Sequence, residues 1–342
     1  MSTKGWNFMS SERLVSHSCI TRCSANPLLT SRQVPYPSDL VFNPGVVPWK
    51  NGFAMMFRND AGYLGGSRFA ETNLGLAWSE DGLHWQVEDQ PVFFLKDEEI
   101  RRVYDPRLTI IEGQVYMTFA VDTRHGLRGG IARTEDLHHF EVLSMSAPDN
   151  RNMVLFPEKF GGMYMRLERP MPVYSRGRDR FDIWQSESPD LIYWGNVHLV
   201  AGVEDVPFAN DKIGPGAPPI RTKAGWLTIT HAVDIDPDRG KNGWEDRWIK
   251  RYCAAVLLLD LNEPWKVLGK SNVPLLAPET DYEVQDGFRT NVIFPTAALQ
   301  LPGGVTRIYY GAADTVIAAA EAKTDDLVSM CLVEKTDTDD AE

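Results

Sequence analysis

Five times along this chain a proline-centred lead-in to an apolar run is followed by a short acidic turn, and the two alternate in strict order. The lead-ins are Asn43-Pro44-Gly45-Val46-Val47, Asp105-Pro106-Arg107-Leu108-Thr109, Phe156-Pro157-Glu158-Lys159, Ala217-Pro218-Pro219-Ile220 and Phe294-Pro295-Thr296-Ala297. The turns are Ser79–Trp85, Thr134–Phe140, Ser188–Trp194, the degenerate Leu261–Trp265 and Thr324–Leu327. A unit too small to bury its own apolar face must stack on copies of itself. Five such units, each a small sheet, predict an all-β fold: a five-bladed β-propeller with a short N-terminal arm.

Successive lead-in prolines are 62, 51, 61 and 77 residues apart, room for one four-stranded blade of about 40–50 residues plus loop insertions. Between lead-in and turn the chain has strand texture, as in Val115–Val121, Trp226–His231 and Arg307–Ala312, often after a Gly-centred turn such as Glu112-Gly113 or Gly303-Gly304. A two-sheet sandwich is the competing architecture. The Ser, Thr and Asp side chains of the acidic turns are expected to pin backbone amides, with the trailing aromatic packed between blades. The expected organisation is an arm over residues 1–35, the propeller over 36–330 and a solvated tail over 331–342.

The net charge of −12 argues against nucleic acid or an anionic membrane as partner. Cys19, Cys23, Cys253 and Cys331 show no metal spacing beyond one isolated Cys-x3-Cys and read as free thiols. There is no apolar stretch of signal-peptide or membrane-span length, so the expectation is a cytoplasmic protein without metal or cofactor.

Propeller ligands bind where the innermost strands meet the central channel, so polar residues beside the lead-ins are the candidates. Asp105 precedes a proline, which holds it extended; it is either a turn-former or an acid aimed into the channel. A basic set stands out in an acidic protein: Arg151 before the third lead-in, Arg166 and Arg169 after a short strand, Lys212 before the fourth lead-in, and His231. Converging, these would hold an anion, with Arg supplying a planar fork and Lys a point charge; apart, they are surface charges. Arg58, Asn59, Asp60, Tyr282, Glu283 and Asp314 have the chemistry of a sugar site.

Taken together, Val103–Arg107, Asn150–Lys159, Arg166–Pro170, Lys212–Pro219 and Asn291–Pro295 resemble glycoside hydrolase family 130, five-bladed propellers acting on β-mannosides, over nearly the whole chain. Asn150–Pro170 is most similar to the branch of 4-O-β-D-mannosyl-D-glucose phosphorylases. The resemblance implies inverting, reversible phosphorolysis of a β-1,4-mannoside, giving α-D-mannose 1-phosphate and a free sugar such as D-glucose. It implies that Asp105 is the sole catalytic acid, working through the sugar's own 3-hydroxyl, and that Arg151, Arg169, Lys212 and His231 hold phosphate. Arg58, Asp60, Tyr104, Glu283 and Asp314 would contact sugar. An ordinary inverting glycosidase needs a second carboxylate to activate water. Phosphate is already an anionic nucleophile, so a cationic cradle that aligns it replaces that carboxylate. The partners are thus a small sugar and phosphate as co-substrate, with the N-terminal arm inviting contacts between copies of the chain. The alternatives are an inverting β-mannoside hydrolase of the same fold with Glu158, Glu168 or Glu283 as base, a non-catalytic sugar-binding propeller, or a three-carboxylate fructosidase or arabinanase.

Overall fold

The structure is a computed structural model that describes residues 14–172, 180–237, 239, 244, 248–285 and 287–332. Its strands form five antiparallel sheets arranged as blades around one axis, and all but the last run from inside to outside in chain order. Blade 1 consists of β2 (Leu40–Trp49), β3 (Gly52–Gly65), β4 (Arg68–Ser79) and β5 (Gln86–Val87), following β1 (Ile20–Arg22), which belongs elsewhere. Blade 2 holds β6 (Ile100–Ile111), β7 (Gln114–Thr123), β8 (Gly126–Thr134) and β9 (Glu141–Met145). Blade 3 holds β10 (Asn150–Leu155), β11 (Tyr164–Pro170), β12 (Ile183–Ser188) and β13 (Gly195–Ala201). In blade 4 the inner edge is split between β14 (Lys212–Pro215) and β15 (Ile220–Arg221), both pairing with β16 (Trp226–Ile235), followed by β17 (Lys250–Leu259) and β18 (Val267–Lys270).

Blade 5 contains β19 (Ile293–Leu301), β20 (Val305–Ala312) and β21 (Val316–Lys323), and its outer strand is β1, with Ile20 opposite Ala322 and Arg22 opposite Ala320. Residues 20–22 therefore lie inside the fold, unlike the arm expected over 1–35. The strand is anchored by Arg22, whose guanidinium donates to Glu279 at 2.9 Å, to both oxygens of Glu283 at 2.8 Å, and to the Ala277 carbonyl at 2.7 Å. Glu283 is fully buried within the short helix α1 (Asp281–Val284) and also accepts from Tyr310. At the other end, helix α2 (Thr324–Leu332) buries Leu327, Met330 and Cys331 against Val256 and Leu258 of blade 4. The expected tail is thus helical and partly buried up to residue 332; the remainder of that tail lies outside the described residues. All four cysteines are unpaired.

Aliphatic and aromatic side chains from facing sheets fill the spaces between blades. The acidic turns act as expected. Asp81, Asp136 and Asp190 each accept two backbone N–H groups through Oδ1, and Ser79, Thr134 and Ser188 each cap a third. In blade 4 the pivot is Asp260, one residue before the expected motif. Trp85 meets Tyr309 of blade 5 edge-on, and Phe140 meets Phe93. Thr324 instead opens α2. Because β1 already fills the outer position of blade 5, no fourth strand follows it, and Asp325 and Asp326 favour a helix N-terminus.

The innermost strands are bulged near the axis. Register breaks fall at Phe42/Gly45, Tyr104/Arg107, Arg151/Val154 and Pro295/Ala297. In the first three the residue inside the break, Asn43, Asp105 or Asn152, has φ of 51°, 55° or 58°. Asp105 is therefore in the left-handed region, not extended as its following proline suggested: a bulge re-aims its side chain at the cost of backbone strain. Pro157 and Pro218 follow β10 and β14, so the prolines of blades 3 and 4 do not occupy the position of Pro44 and Pro106. The strands crowd the axis closely enough that a Cβ on Gly45 would sit 3.0 Å from the Pro106 carbonyl oxygen.

Candidate active site

A cavity at one end of the axis draws on all five blades. Asn43 and Arg58 come from blade 1, Tyr104 and Asp105 from blade 2, Arg151, Asn152 and Arg169 from blade 3, Tyr252 from blade 4, and Phe294 and Asp314 from blade 5. It encloses about 680 Å³ of atom-free space, open solvent at its mouth included.

Asp105 lies at its centre, 6 % exposed. Its Oδ1 accepts from Asn43 Nδ2 at 2.8 Å and lies 3.4 Å from Arg58 Nη1. Burial pushes the Asp105 carboxyl up, but Arg58, Arg107, Asn43 and Arg151 outweigh it and hold the group below its ordinary value. Arg58 is clamped between the rings of Phe42 and Tyr104, 4.4 and 4.9 Å from their centroids. Tyr104 donates to Asp122 at 2.7 Å and accepts from Arg151 Nη1 at 3.3 Å.

Beside Asp105 stands a group of cations with few anions. Arg169 is 1 % exposed, and its Nη1 donates to His231 Nε2 at 3.3 Å. A guanidinium can only donate, so His231 is neutral, with its proton on Nδ1. Burial and the charges of Arg169, Arg107, Lys212 and Arg151 push His231 well below its ordinary value. A Cβ on Gly214 would lie 2.4 Å from His231 Cε1, so only glycine allows the ring this position. Burial and then Arg151 push Arg169 down to about 9, while burial, Arg169 and Lys250 push Lys212 down to about 6. The one carboxylate near Lys212, Asp211, is 3.5 Å away and shared with Lys250. Among the described residues, Nε and Nη2 of Arg169, Nε of Arg151 and Nδ1 of His231 are buried without a partner. Buried donors without partners and mutually repelling cations are costly. Such a set of inward-facing donors is suited to an anion.

A family profile described as beta-1,4-mannooligosaccharide phosphorylase matches residues 20–333. The chain belongs to this family, glycoside hydrolase family 130. It is similar to a beta-1,4-mannooligosaccharide phosphorylase of Ruminococcus albus, 35 % identical over 324 residues that cover 90 % of each chain. It is also similar to a 4-O-beta-D-mannosyl-D-glucose phosphorylase of Bacteroides fragilis, 27 % identical over 90 % of this chain and 78 % of the relative. Among solved structures, the beta-1,2-mannobiose phosphorylase of Listeria innocua in complex with beta-1,2-mannobiose superposes with a TM-score of 0.79, at 25 % identity over 92 % of this chain and 99 % of that one. As a member of family 130 the chain is an enzyme, a glycoside phosphorylase. No described helix is long and apolar enough to cross a membrane.

Within this family 130 site, Asp105, Arg58, Tyr104, Arg151, Arg169 and Asp314 line the cavity, and Lys212 and His231 adjoin it through Arg169. Two expected sugar contacts are corrected. Asp60 is fully buried beneath Arg58, gripped by it at 2.6 Å and by Thr72 at 2.7 Å, so it orients Arg58 and does not line the cavity. Glu283 is spent on Arg22 and Tyr310, away from the cavity. Arg166, alternating with Arg169 along β11, faces Glu168 at 2.7 Å and stacks on Trp194. Asp314, at φ 49° in the β20–β21 turn, meets Arg289 at 3.3 Å; burial, chiefly, raises its carboxyl above the ordinary value. Sequence reasoning passed over Asn43, Asn152, Arg107 and Tyr252. Asn43 carried a signal, since Asn43-Pro44 stands in blade 1 where Asp105-Pro106 stands in blade 2.

Proposed function

We propose that this protein catalyses inverting, reversible phosphorolysis of a β-1,4-linked mannoside, releasing α-D-mannose 1-phosphate. The observation that carries this reading is the buried donor set beside Asp105: Nε and Nη2 of Arg169 and Nε of Arg151 have no partner among the described residues, and Lys212 stands next to Arg169. A dianion satisfies them; a water molecule does not.

In the reaction, a phosphate oxygen attacks the anomeric carbon from the face opposite the departing sugar, through an oxocarbenium-like state. The bond from that carbon to the leaving oxygen breaks, and Asp105 supplies the proton the leaving oxygen needs, relayed through the mannosyl 3-hydroxyl. Arg58, Arg107 and Asn43 favour the ionised carboxylate of Asp105, and a phosphate charge beside Arg151 offsets that cation and favours the protonated acid. Each bond gained at C1 thus matches one lost, and the anomeric configuration inverts once. The hydrolase alternative needs a second carboxylate as base. Glu158 pairs with Arg221, Glu168 with Arg166 and Glu283 with Arg22, so none of the three candidates is available at the cavity.

The similarity to the Ruminococcus enzyme favours a β-1,4-mannooligosaccharide as substrate, with 4-O-β-D-mannosyl-D-glucose as the second choice. The test incubates the pure protein with β-1,4-mannobiose, β-1,4-mannotriose or 4-O-β-D-mannosyl-D-glucose, with and without inorganic phosphate. Mannose 1-phosphate formed only with phosphate supports the reading, and the ratio of kcat/KM values ranks the acceptors. Free mannose formed equally in both tubes overturns it in favour of a hydrolase.

A further inference from the structure

Arg107 does not line the cavity and is 1 % exposed, among the largest fully buried side chains. It makes no ion pair within contact distance among the described residues. Its Nε donates to the Gly216 carbonyl of blade 4 at 2.7 Å, and its Nη1 donates to the carbonyl of Asp105 itself at 3.2 Å. The guanidinium lies 5.7 Å from the ring centroid of Phe294 in blade 5, and Nη2 is buried without a partner among the described residues. One side chain of blade 2 thus ties together three blades at the axis and grips the backbone of the one residue whose left-handed turn aims the acid.

A bare buried cation is an expensive way to brace a turn, because a neutral donor would make the same two bonds without the desolvation cost of the charge. The charge therefore has a use, and the carboxylate it faces is that of Asp105. Resting on the phosphorolysis reading above, we propose that Arg107 is the positioning residue of the catalytic acid. Its fork holds the Asp105 turn, and its charge sets how readily Asp105 gives and takes a proton. The other groups facing Asp105 are Arg58 on β3, Tyr104 on β6, Arg151 on β10, Asn43 on β2 and Asp314 in the β20–β21 turn. Arg58 is neutralised in part by Asp60 and Arg151 is committed to phosphate. Arg107 is left as the constant member of the field. Consistent with this, burial pushes Arg107 down to about 10 while Asp105 supports its charge.

Two variants separate the roles. Arg107→Met keeps the bulk and removes the charge, so Asp105 holds its proton more tightly. The alkaline limb of the phosphorolysis kcat/KM profile should then move up by about one pH unit, the smallest shift expected for loss of a close opposite charge. Arg107→Lys keeps the charge but cannot reach both carbonyls. Its pH limb should stay in place while kcat falls about 100-fold, the scale of a misplaced reacting group, with KM for phosphate and mannoside within about threefold of wild type. Phe294→Leu loosens the same packing without touching charge and should leave the pH limb unmoved. An unshifted limb in Arg107→Met, or a kcat within twofold of wild type in Arg107→Lys, overturns the proposal. If Arg107→Met does not fold, Arg107→Lys decides alone. A wild-type protein without phosphate-dependent product would instead sink the phosphorolysis reading, and it is assayed first.

Discussion

Asn43 donates to Asp105 at 2.8 Å, and the two residues occupy the same bulge position, both left-handed, in neighbouring blades. One repeat unit thus supplies the amide and the next supplies the acid that it orients. The positive φ at Asn43 makes backbone and side-chain roles separable. Asn43→Gly removes only the hydrogen bond, whereas Asn43→Ala adds a backbone cost of about 1–2 kcal/mol for a left-handed alanine. Both should raise the Asp105 carboxyl and lower kcat by about tenfold, the worth of one hydrogen bond to a charged group. Only the alanine variant should melt several degrees lower. Equal melting temperatures would mean that the turn is not strained.

Replacing Asp105 by Asn keeps the size and the bond to Asn43 in altered form but removes the proton donor. Turnover should drop by about 10³, within the range supplied by a general acid. Mannoside binding, followed by calorimetry, should persist. Near-wild-type turnover would rule Asp105 out as the acid.

Arg151→Ala and Lys212→Ala should raise KM for phosphate by at least about tenfold, each losing a charge-assisted bond worth about 1.5–3 kcal/mol. KM for the mannoside should change little. A phosphate dependence identical to wild type in both variants would leave the cations without a ligand.

Lys212 gives a pH signature of its own. Its folded value, about 6, lies below its unfolded value, so between the two the unfolded chain holds a proton that the folded protein does not. Its contribution therefore disfavours folding at neutrality and is relieved as pH rises. Phosphate should return that proton. Just above neutrality, where inorganic phosphate is predominantly dianionic, binding should take up about one proton per site. Titration calorimetry in two buffers of different ionisation heat measures this directly, and Lys212→Met should abolish the uptake. Proton release in wild type would contradict the assignment.

Glu283→Gln should leave KM for both substrates near wild type while lowering stability by about 3 kcal/mol, because it removes the buried carboxylate of the Arg22 pair and leaves only the more exposed Glu279 to offset that charge. Thermal unfolding with and without phosphate reads both effects. A selective rise in the mannoside KM would return Glu283 to the sugar site.

The fold was legible because turn chemistry is local. A Ser or Thr followed two residues later by Asp pins the same hairpin in three of the five turns, and the same spacing at Thr324 opens a helix only because β1 already fills the outer position of blade 5. Asp105, Arg151 and Arg169 were legible because they flank the innermost strands, which must approach the axis. Glu283 was misread because its partner, Arg22, lies 261 residues earlier in a segment with no strand signal of its own. Asp60 was misread for the opposite reason. It shares a strand face with Arg58, and only packing decides which of the two reaches the cavity and which lies beneath it. The conformation of Asp105 escaped because a proline restrains the preceding residue toward extended backbone, and the bulge overrides that preference.

The pairing of β1 with β21 has a bearing on when the enzyme comes into being. Residues 20–22 wait for residues 320–322, so four blades can fold as they leave the ribosome while the first strand of the chain hangs idle. Until the fifth sheet is stitched shut, Phe294 and Asp314 are absent from the cavity wall and the cations of blades 3 and 4 face open water. A nascent chain thus carries its acid early and gains the last wall of its cavity only when the ring closes.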